Sequence, residues 1–354
     1  MKRIASLALA AVVTMALGAC QLSPKTATQN GFRGTGMDHV TLTKVAMAKD
    51  EVPAPPYDPP ATDGQRAKEV YQNVQVLGDE SADQFNYTMA AITQWVAPEQ
   101  GCNYCHNPEN MASDELYTKV VARRMLQMTR NINHNWKQHV AATGVTCWTC
   151  HRGNPVPANY WTMPTEGPKG IIGNRHGQNN PVPESAFSSL PNASLAVYFT
   201  GDPKVDQNIR VQSTGLHPSA ANKTSIMATE DSYAVMMHAS QSLGVNCTFC
   251  HNTQSFQNWD ISTPQRAKAW YGIRMVRQTN GEYMTPLASV FPANRKGALG
   301  DTFKVSCATC HQGKNKPMGG AQMAKDYHAL WGEPSPASLT PAPAAAPAVG
   351  APAR

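Results

Sequence analysis

The chain has 354 residues, enough for two domains. Its hydrophobic content of 41% and aromatic content of 7% are modest for a core of that size, so other apolar material has to complete it. The net charge of +6 comes without any block of basic residues, which excludes a nucleic-acid footprint of the usual kind.

Residues 1–19 read as a targeting segment. Lys2 and Arg3 precede an apolar stretch from Ile4 to Leu17, about 14 residues and short of the roughly 20 that a membrane span needs. Leu17-Gly18-Ala19-Cys20 resembles a bacterial lipobox, in which cleavage precedes the cysteine and the cysteine is acylated. Cys20 is therefore the expected lipid anchor, with an uncleaved transmembrane helix as the alternative. No later stretch is long and apolar enough to cross a bilayer.

Residues 20–80 are polar and carry Pro53-Ala54-Pro55-Pro56 and Pro59-Pro60, the pattern of an irregular arm. A first unit, residues 81–154, follows. Residues 81–98 predict a helix with Met89, Ile92, Thr93 and Val96 on one face, and residues 114–143 a longer one through Val121, Met125, Met128, Ile132, Trp136 and Val140. Ser113 is the expected N-cap of the longer helix, Gly144 its stop, and Asn131–Asn133 a place for a kink. Residues 155–224, rich in Pro, Gly, Asn and Ser, read as a connector. The second unit, residues 225–318, predicts a helix over 230–243 capped by Thr229 and stopped by Gly244, and another opened by Thr263-Pro264. Residues 319–354 end the chain as an Ala/Pro-rich tail expected to be disordered.

Each unit holds two copies of one pentapeptide. Cys102-Asn103-Tyr104-Cys105-His106 and Cys147-Trp148-Thr149-Cys150-His151 lie in the first, and Cys247-Thr248-Phe249-Cys250-His251 and Cys307-Ala308-Thr309-Cys310-His311 in the second. Cys-x-x-Cys-His is the attachment signature of c-type haem. Two thiols three residues apart in a helical turn reach the two vinyl groups of one porphyrin, and the next residue presents an imidazole to the iron. A single copy is ambiguous, because zinc sites and redox dithiols also use Cys-x-x-Cys. Four copies are not: chance gives on the order of 0.01 in a chain of this composition. Eight of the nine cysteines are consumed, and Cys20 is the ninth, so no thiol is left for a structural disulfide. Four porphyrins also supply the missing apolar core, and their propionates account for part of the cationic excess. The chain reads as helix, motif, long helix, motif, twice over: a mainly α multihaem protein of two tandem dihaem repeats joined by a long connector.

The sixth ligand separates an electron carrier, which fills that site, from a haem enzyme, which leaves it open. Met89 lies 13 residues before Cys102, Met236 lies 11 before Cys247, and Met125 lies 22 before Cys147. Met128 competes with Met125, and Met237 with Met236. For the fourth motif, Arg274-Met275-Val276 echoes Arg124-Met125-Leu126 and points to Met275. His139, 14 residues past Met125 and about 21 Å further along the same helical pattern, is the other choice. His39, His134, His176, His217, His238 and His328 read as ordinary surface or packing histidines. Arg266 and Arg274 are candidate propionate partners.

The segments Trp95-Val96-Ala97-Pro98-Glu99-Gln100-Gly101-Cys102-Asn103-Tyr104-Cys105-His106, Val121-Ala122-Arg123-Arg124-Met125-Leu126, Gly144-Val145-Thr146-Cys147 and Asn246-Cys247-Thr248-Phe249-Cys250-His251 resemble the tetrahaem cytochrome subunit of the purple-bacterial photosynthetic reaction centre. The similarity runs over residues 20–318. It implies Met89, Met125 and Met236 as sixth ligands of haems one to three, and His139 in place of Met275 for haem four. The motif histidines His106, His151, His251 and His311 are the fifth ligands. The resemblance further implies an electron carrier rather than an enzyme, held by lipid on the periplasmic face of the photosynthetic membrane. It would re-reduce the photo-oxidised bacteriochlorophyll special pair, with haem three nearest that pair. A soluble cytochrome c or high-potential iron–sulfur protein would dock at haem one. The rival classes are a periplasmic multihaem oxidoreductase, which needs an open haem, and a free electron shuttle.

Overall fold

Several of the described helices begin or end at a cap that the local sequence explains. The computed structural model describes residues 23–29, 38–48, 50–165, 177–178, 180–201 and 225–334. The expected lipid anchor Cys20, His176, His217 and the Ala/Pro run 335–354 lie outside the described residues.

The described arm opens with an antiparallel hairpin, β1 (Lys25–Thr28) against β2 (His39–Leu42), in which Lys25 pairs with Leu42 and Thr28 with His39. Two single-turn helices follow, α1 (Thr43–Ala46) and α2 (Ala67–Val70). The first long helix, α3 (Ala82–Val96), starts where Ser81 Oγ accepts from the backbone N–H of Gln84. It buries Tyr87, Ala91 and Trp95 along one stripe.

Helix α4 (Tyr117–Asn135) begins three residues later than the sequence suggests, with Leu116 and not Ser113 at the N-cap. The break falls at Trp136 (φ −114°, ψ 33°) rather than at Asn131–Asn133. The reason is that Asn133 is spent on a tertiary clamp: its amide accepts from Val145 N–H at 2.7 Å and donates to the carbonyls of Val145 and Leu330. One further turn, α5 (Lys137–Val140), carries His139.

The second motif forms α6 (Cys147–His151). The connector is not a plain linker. Its residues 194–199 form α7 (Ser194–Phe199), whose Leu195, Tyr198 and Phe199 are buried in the second core. Helix α8 (Ile226–Leu243) starts four residues before the expected point, capped by Ser225 rather than Thr229, and stops at Gly244, whose φ of +63° suits glycine. Helix α9 (Pro264–Gln278) opens at Thr263-Pro264 as expected and runs on into a π-helical segment, Thr279–Met284. The fourth motif forms α10 (Cys307–His311).

The core divides in two. The first cluster joins Tyr87, Ala91 and Trp95 to Leu77, Leu126, Met318, Met323, Tyr327 and Leu330. Tyr327 stacks on Tyr87 at 4.9 Å and meets Trp95 edge-on at 4.6 Å. The segment up to residue 330 therefore belongs to the folded body, against the expectation that disorder begins at 319. Its apolar residues sit in short 3₁₀ turns, which carry no helical period to read. The second cluster joins Val235, Ile273, Met275 and Val276 to Ile132, Trp161 and the connector helix.

Between α2 and α4 the chain is tied by charge. Both guanidinium nitrogens of Arg123 meet the two carboxylate oxygens of Asp114 at 2.8 Å, and Asn73 and Lys119 add contacts at 2.9 and 3.3 Å. Burial by itself would raise the Asp114 carboxyl, but these partners outweigh it and hold the group down at about 2. The folded pKa lies below the ordinary 3.8, so the stability this site contributes is present above about pH 4 and lost as the pH falls towards 2. Asp114→Asn is expected to cost about 1 kcal/mol at neutral pH and to flatten the acid limb of a denaturant-unfolding series. An unchanged acid limb would show that the cluster contributes nothing measurable.

Candidate haem-binding site

The four pentapeptides take two local forms. Motifs one and three close 3₁₀ turns, Gly101–Tyr104 and Cys247–Phe249, in which the histidine N–H donates to the first cysteine's carbonyl at 3.0 and 2.9 Å. Motifs two and four are one-turn α-helices with reciprocal caps. The N–H of Thr146 donates to Thr149 Oγ1 at 3.0 Å, and that of Ser306 to Thr309 Oγ1 at 2.9 Å. Each of these turns ends in a left-handed residue, Arg152 and Gln312, which releases the chain just after the histidine.

The histidines share one arrangement. His106 Nδ1 lies 2.9 Å from the carbonyl of Met111, His151 Nδ1 2.8 Å from Asn154, His251 Nδ1 2.8 Å from Phe256 and His311 Nδ1 2.9 Å from Lys314. A fifth histidine follows the same rule: His139 Nδ1 lies 2.8 Å from the carbonyl of Lys268. A carbonyl only accepts, so each ring carries its proton on Nδ1 and presents the Nε2 lone pair. That is the support a metal-ligating imidazole requires. Burial lowers the pKa of His139, His151, His251 and His311, keeping the rings neutral; for His311, burial and then the neighbouring His139 bring it down to about 4.

His139 and His311 face each other with ring centroids 6.0 Å apart. They are 172 residues apart in sequence, so only the fold brings them together. Of the two sequence candidates for the fourth motif, His139 is the one beside His311. Met275 is buried in the second core.

One cavity of about 2090 Å³ connects the motifs, more than twice the upper end of the roughly 300–1,000 Å³ of a single small-molecule site. Its wall includes Cys105, both cysteines of motifs two, three and four, His139, His151, His251 and His311. Met125 and Met236 line it, as does Met128, whereas Met237 is not on its wall. Cys102, His106 and Met89 are not on its wall; Ile92, Val96 and Cys105 are, and the hydroxyl of Thr93, one turn after Met89, lies 4.0 Å from Cys102 Sγ. Arg266, Arg274, Arg277, Arg295 and Lys304 also line it, against the single carboxylate of Asp260. A mainly apolar hollow edged by cations suits porphyrins with their propionates. Of the two arginines singled out from sequence, Arg266 lies over the Trp259 ring at 4.0 Å and Arg274 over Trp270 at 4.1 Å. Arg277, fully buried and donating to the Tyr198 carbonyl at 3.0 Å, escaped notice. Asn280, buried and bonded to Val305 and Phe199, is a second such residue. A lone polar residue on the apolar face of a helix was the available signal.

The remaining described histidines have other surroundings. His39 is in the hairpin, His134 approaches Glu333 at 3.6 Å, His328 contacts Glu80 at 2.8 Å, and His238 is buried, which lowers its pKa to about 4.

The thiols are not poised for a zinc or dithiol role. Burial pushes Cys105 and Cys250 up to about 11, and Cys147 and Cys307 up to about 12, so they remain protonated at neutral pH. Among the described residues no three His, Cys, Asp or Glu side chains converge as a metal cluster. One departure from the sequence expectation stands out. The sulfurs of Cys150 and Cys310 meet as a disulfide, with Cα atoms 4.5 Å apart across 160 residues. The cause is the packing of α6 directly on α10, where Gln312 Nε2 also donates to the Cys150 carbonyl at 3.4 Å. A sulfur in a disulfide cannot also hold a thioether, so the two assignments exclude each other at these positions.

The motifs are strung in a definite packing order. Helix α3, which carries Met89 and leads to motif one, packs on α6; α6 packs on α10; α10 packs on α8, which carries Met236 and leads to motif three. The spatial order is one, two, four, three. Among the described residues no helix is long and apolar enough to cross a membrane.

Comparison with known proteins converges on one family. The family model described as "Photosynthetic reaction centre cytochrome C subunit" matches residues 21–331. A protein of Rubrivivax gelatinosus named photosynthetic reaction center cytochrome c subunit is 48% identical over 340 residues, 95% of this chain and 91% of its own. Proteins of the same name from Thermochromatium tepidum and Roseobacter denitrificans are 48% and 42% identical, covering 90% and 85% of this chain and 78% and 84% of theirs. With its motifs, its cavity and these relatives together, the chain belongs to the family of photosynthetic reaction centre cytochrome c subunits.

Proposed function

We propose that the chain holds four covalent c-type haems and passes electrons through them to the photo-oxidised special pair of a reaction centre. The observation that carries this reading is the pair His139 and His311, whose ring centroids lie 6.0 Å apart with the rings at 70° and each Nδ1 tied to a backbone carbonyl, which leaves each Nε2 free to ligate. Two imidazoles so placed would hold one haem iron between them, and a filled site would suit an electron carrier rather than a catalyst. Bound haem iron supplies the one-electron chemistry. The protein's part is to hold each ring system rigid, fix its axial atoms and exclude water.

The ligand set proposed is the one the family resemblance implies. His106, His151, His251 and His311 are the fifth ligands. Met89, Met125 and Met236 are the sixth ligands of haems one to three, and His139 that of haem four. Met236 takes precedence over Met237, which is not on the cavity wall, and Met125 is taken over Met128, which lines the same wall, as the family resemblance implies. Cys150 and Cys310 belong to haems two and four, because they are the second cysteines of their motifs, equivalent to the free thiols of Cys105 and Cys250. The packing order one, two, four, three supports a row of tandem dihaem halves, with haem three at one end, facing the special pair, and haem one at the other. A small soluble cytochrome c or high-potential iron–sulfur protein is the donor at the haem-one end. Cys20 carries the lipid that holds the subunit to the periplasmic face.

Flash excitation of membranes containing the intact complex tests this. The expected result is rapid oxidation of a haem as the special pair is re-reduced, lost in a strain lacking the chain. Unchanged re-reduction in that strain overturns the carrier reading. Intact mass of the purified subunit is expected to show four haems. A mass with two haems and an internal disulfide would return Cys150 and Cys310 to each other.

A further inference from the structure

The two long helices repeat one polar clamp, and the clamp sets a register that the sequence hides. In the first half Asn133 accepts from Val145 N–H at 2.7 Å and donates to the Val145 and Leu330 carbonyls at 3.0 and 2.9 Å, while Arg130 Nε donates to Ala329 at 2.7 Å. In the second half Asn280 accepts from Val305 N–H at 2.8 Å and donates to the Val305 and Phe199 carbonyls at 2.9 Å, while Arg277 Nε donates to Tyr198 at 3.0 Å. Each clamp ties its helix to the segment entering a motif, at Val145 or Val305, and to a neighbouring dipeptide. Asn133 maps to Asn280 and Arg130 to Arg277, an offset of 147 in both cases, and the helices themselves start 147 apart at Tyr117 and Pro264. Asn131 and its counterpart Gln278 even bond each other, at 3.0 Å.

In this register the counterpart of Met125 is Gly272, and Met275 is the counterpart of Met128. The echo of Arg124-Met125-Leu126 in Arg274-Met275-Val276 is three residues out, nearly one helical turn. The second helix thus carries no side chain at the position from which Met125 projects in the first.

That position is filled from elsewhere. A Cβ on Gly272 would lie 2.6 Å from Cε1, 2.9 Å from Nδ1 and 3.2 Å from Nε2 of His139. The same imidazole is anchored to the carbonyl of Lys268, four residues before Gly272 on the same helix. Gly272 lies inside α9 with no left-handed backbone to justify it. Glycine there weakens the helix relative to alanine. Space for the ring is the feature of the structure that offsets this cost.

We propose that Gly272 is the positioning residue of the fourth haem: its missing side chain admits His139 to the place of the absent methionine and so selects bis-histidine coordination at this one centre. The inference rests on the ligand set proposed above.

The test compares Gly272→Ala in the native chain and in a His139→Ala background, using haem count, near-infrared magnetic circular dichroism, carbon monoxide binding to the reduced protein and thermal stability. In the native chain the expected result is four haems retained, loss of the bis-histidine signature and about one haem in four opened to carbon monoxide. In the His139→Ala background, alanine at 272 has no ring to displace, so it changes neither spectrum nor carbon monoxide stoichiometry and raises thermal stability. Equal effects in both backgrounds, including equal failure to accumulate, overturn the slot. A native Gly272→Ala protein that keeps its bis-histidine signal does so too. A third variant, Gly272→Met with His139→Ala, is expected to restore six-coordination with a fourth thioether-to-iron charge-transfer band. If the unmodified protein shows no bis-histidine centre at all, the ligand set itself fails, which separates that outcome from failure of the slot.

Discussion

His139→Ala is expected to convert the fourth centre from six- to five-coordinate. His139 reaches its place through the single turn Lys137–Val140 and is held there by the Lys268 carbonyl. Alanine at 139 removes the imidazole, and Gly272 offers no side chain in its place; Met275, three residues further along the helix, packs into the second core although it also reaches the cavity wall. The reduced variant is expected to bind carbon monoxide at about one haem in four, where the native protein binds none. A redox titration should show one low-potential step moved upward, a sizeable fraction of the roughly 0.8 V over which axial ligands set haem potentials. Carbon monoxide binding by the native protein at neutral pH would point instead to a catalytic haem. An unmoved titration in the variant would remove His139 from the ligand set.

The largest expected loss of stability comes from Arg130. Its guanidinium is almost wholly buried between the two ends of the fold. Nε donates to Ala329 at 2.7 Å, Nη1 to Val76 at 2.9 Å and Nη2 to Glu80 at 2.8 Å, while the other Glu80 oxygen contacts His328. Arg130→Met leaves the Glu80 carboxylate buried beside carbonyls that have lost their donor. Breaking one side of such a pair costs about 3–5 kcal/mol. Denaturant unfolding should report that loss, and limited proteolysis should find the segment around Tyr327 cut where the native protein is not. The double variant Arg130→Met, Glu80→Met is expected to recover most of the stability, because no unpaired charge remains. If the double variant is as weak as the single, the carbonyl contacts rather than the ion pair hold the C-terminal segment.

Gly332 adds a second constraint on the same guanidinium. A Cβ there would lie 2.6 Å from the Arg130 Cζ atom. The C-terminal segment therefore closes on the first half through a contact that neither segment announces by itself.

The sequence by itself determined the family, through its four Cys-x-x-Cys-His motifs, and most of the long helices. Cys-x-x-Cys-His acts within one turn, so its spacing is readable without knowing the fold, and Gly244 and Thr263-Pro264 mark helix ends through the backbone conformations that glycine and proline favour. Tertiary structure decided the rest. Whether Met275 or His139 stands opposite His311 depends on a contact across 172 residues and on the register of two helices, set by Asn133 and Asn280 rather than by any local pattern. A short motif echo of three residues pointed the wrong way because a helix presents similar faces at neighbouring turns. The packing of the connector helix and of residues up to Leu330 was likewise out of reach, since short turns have no period and take their stability from partners far along the chain.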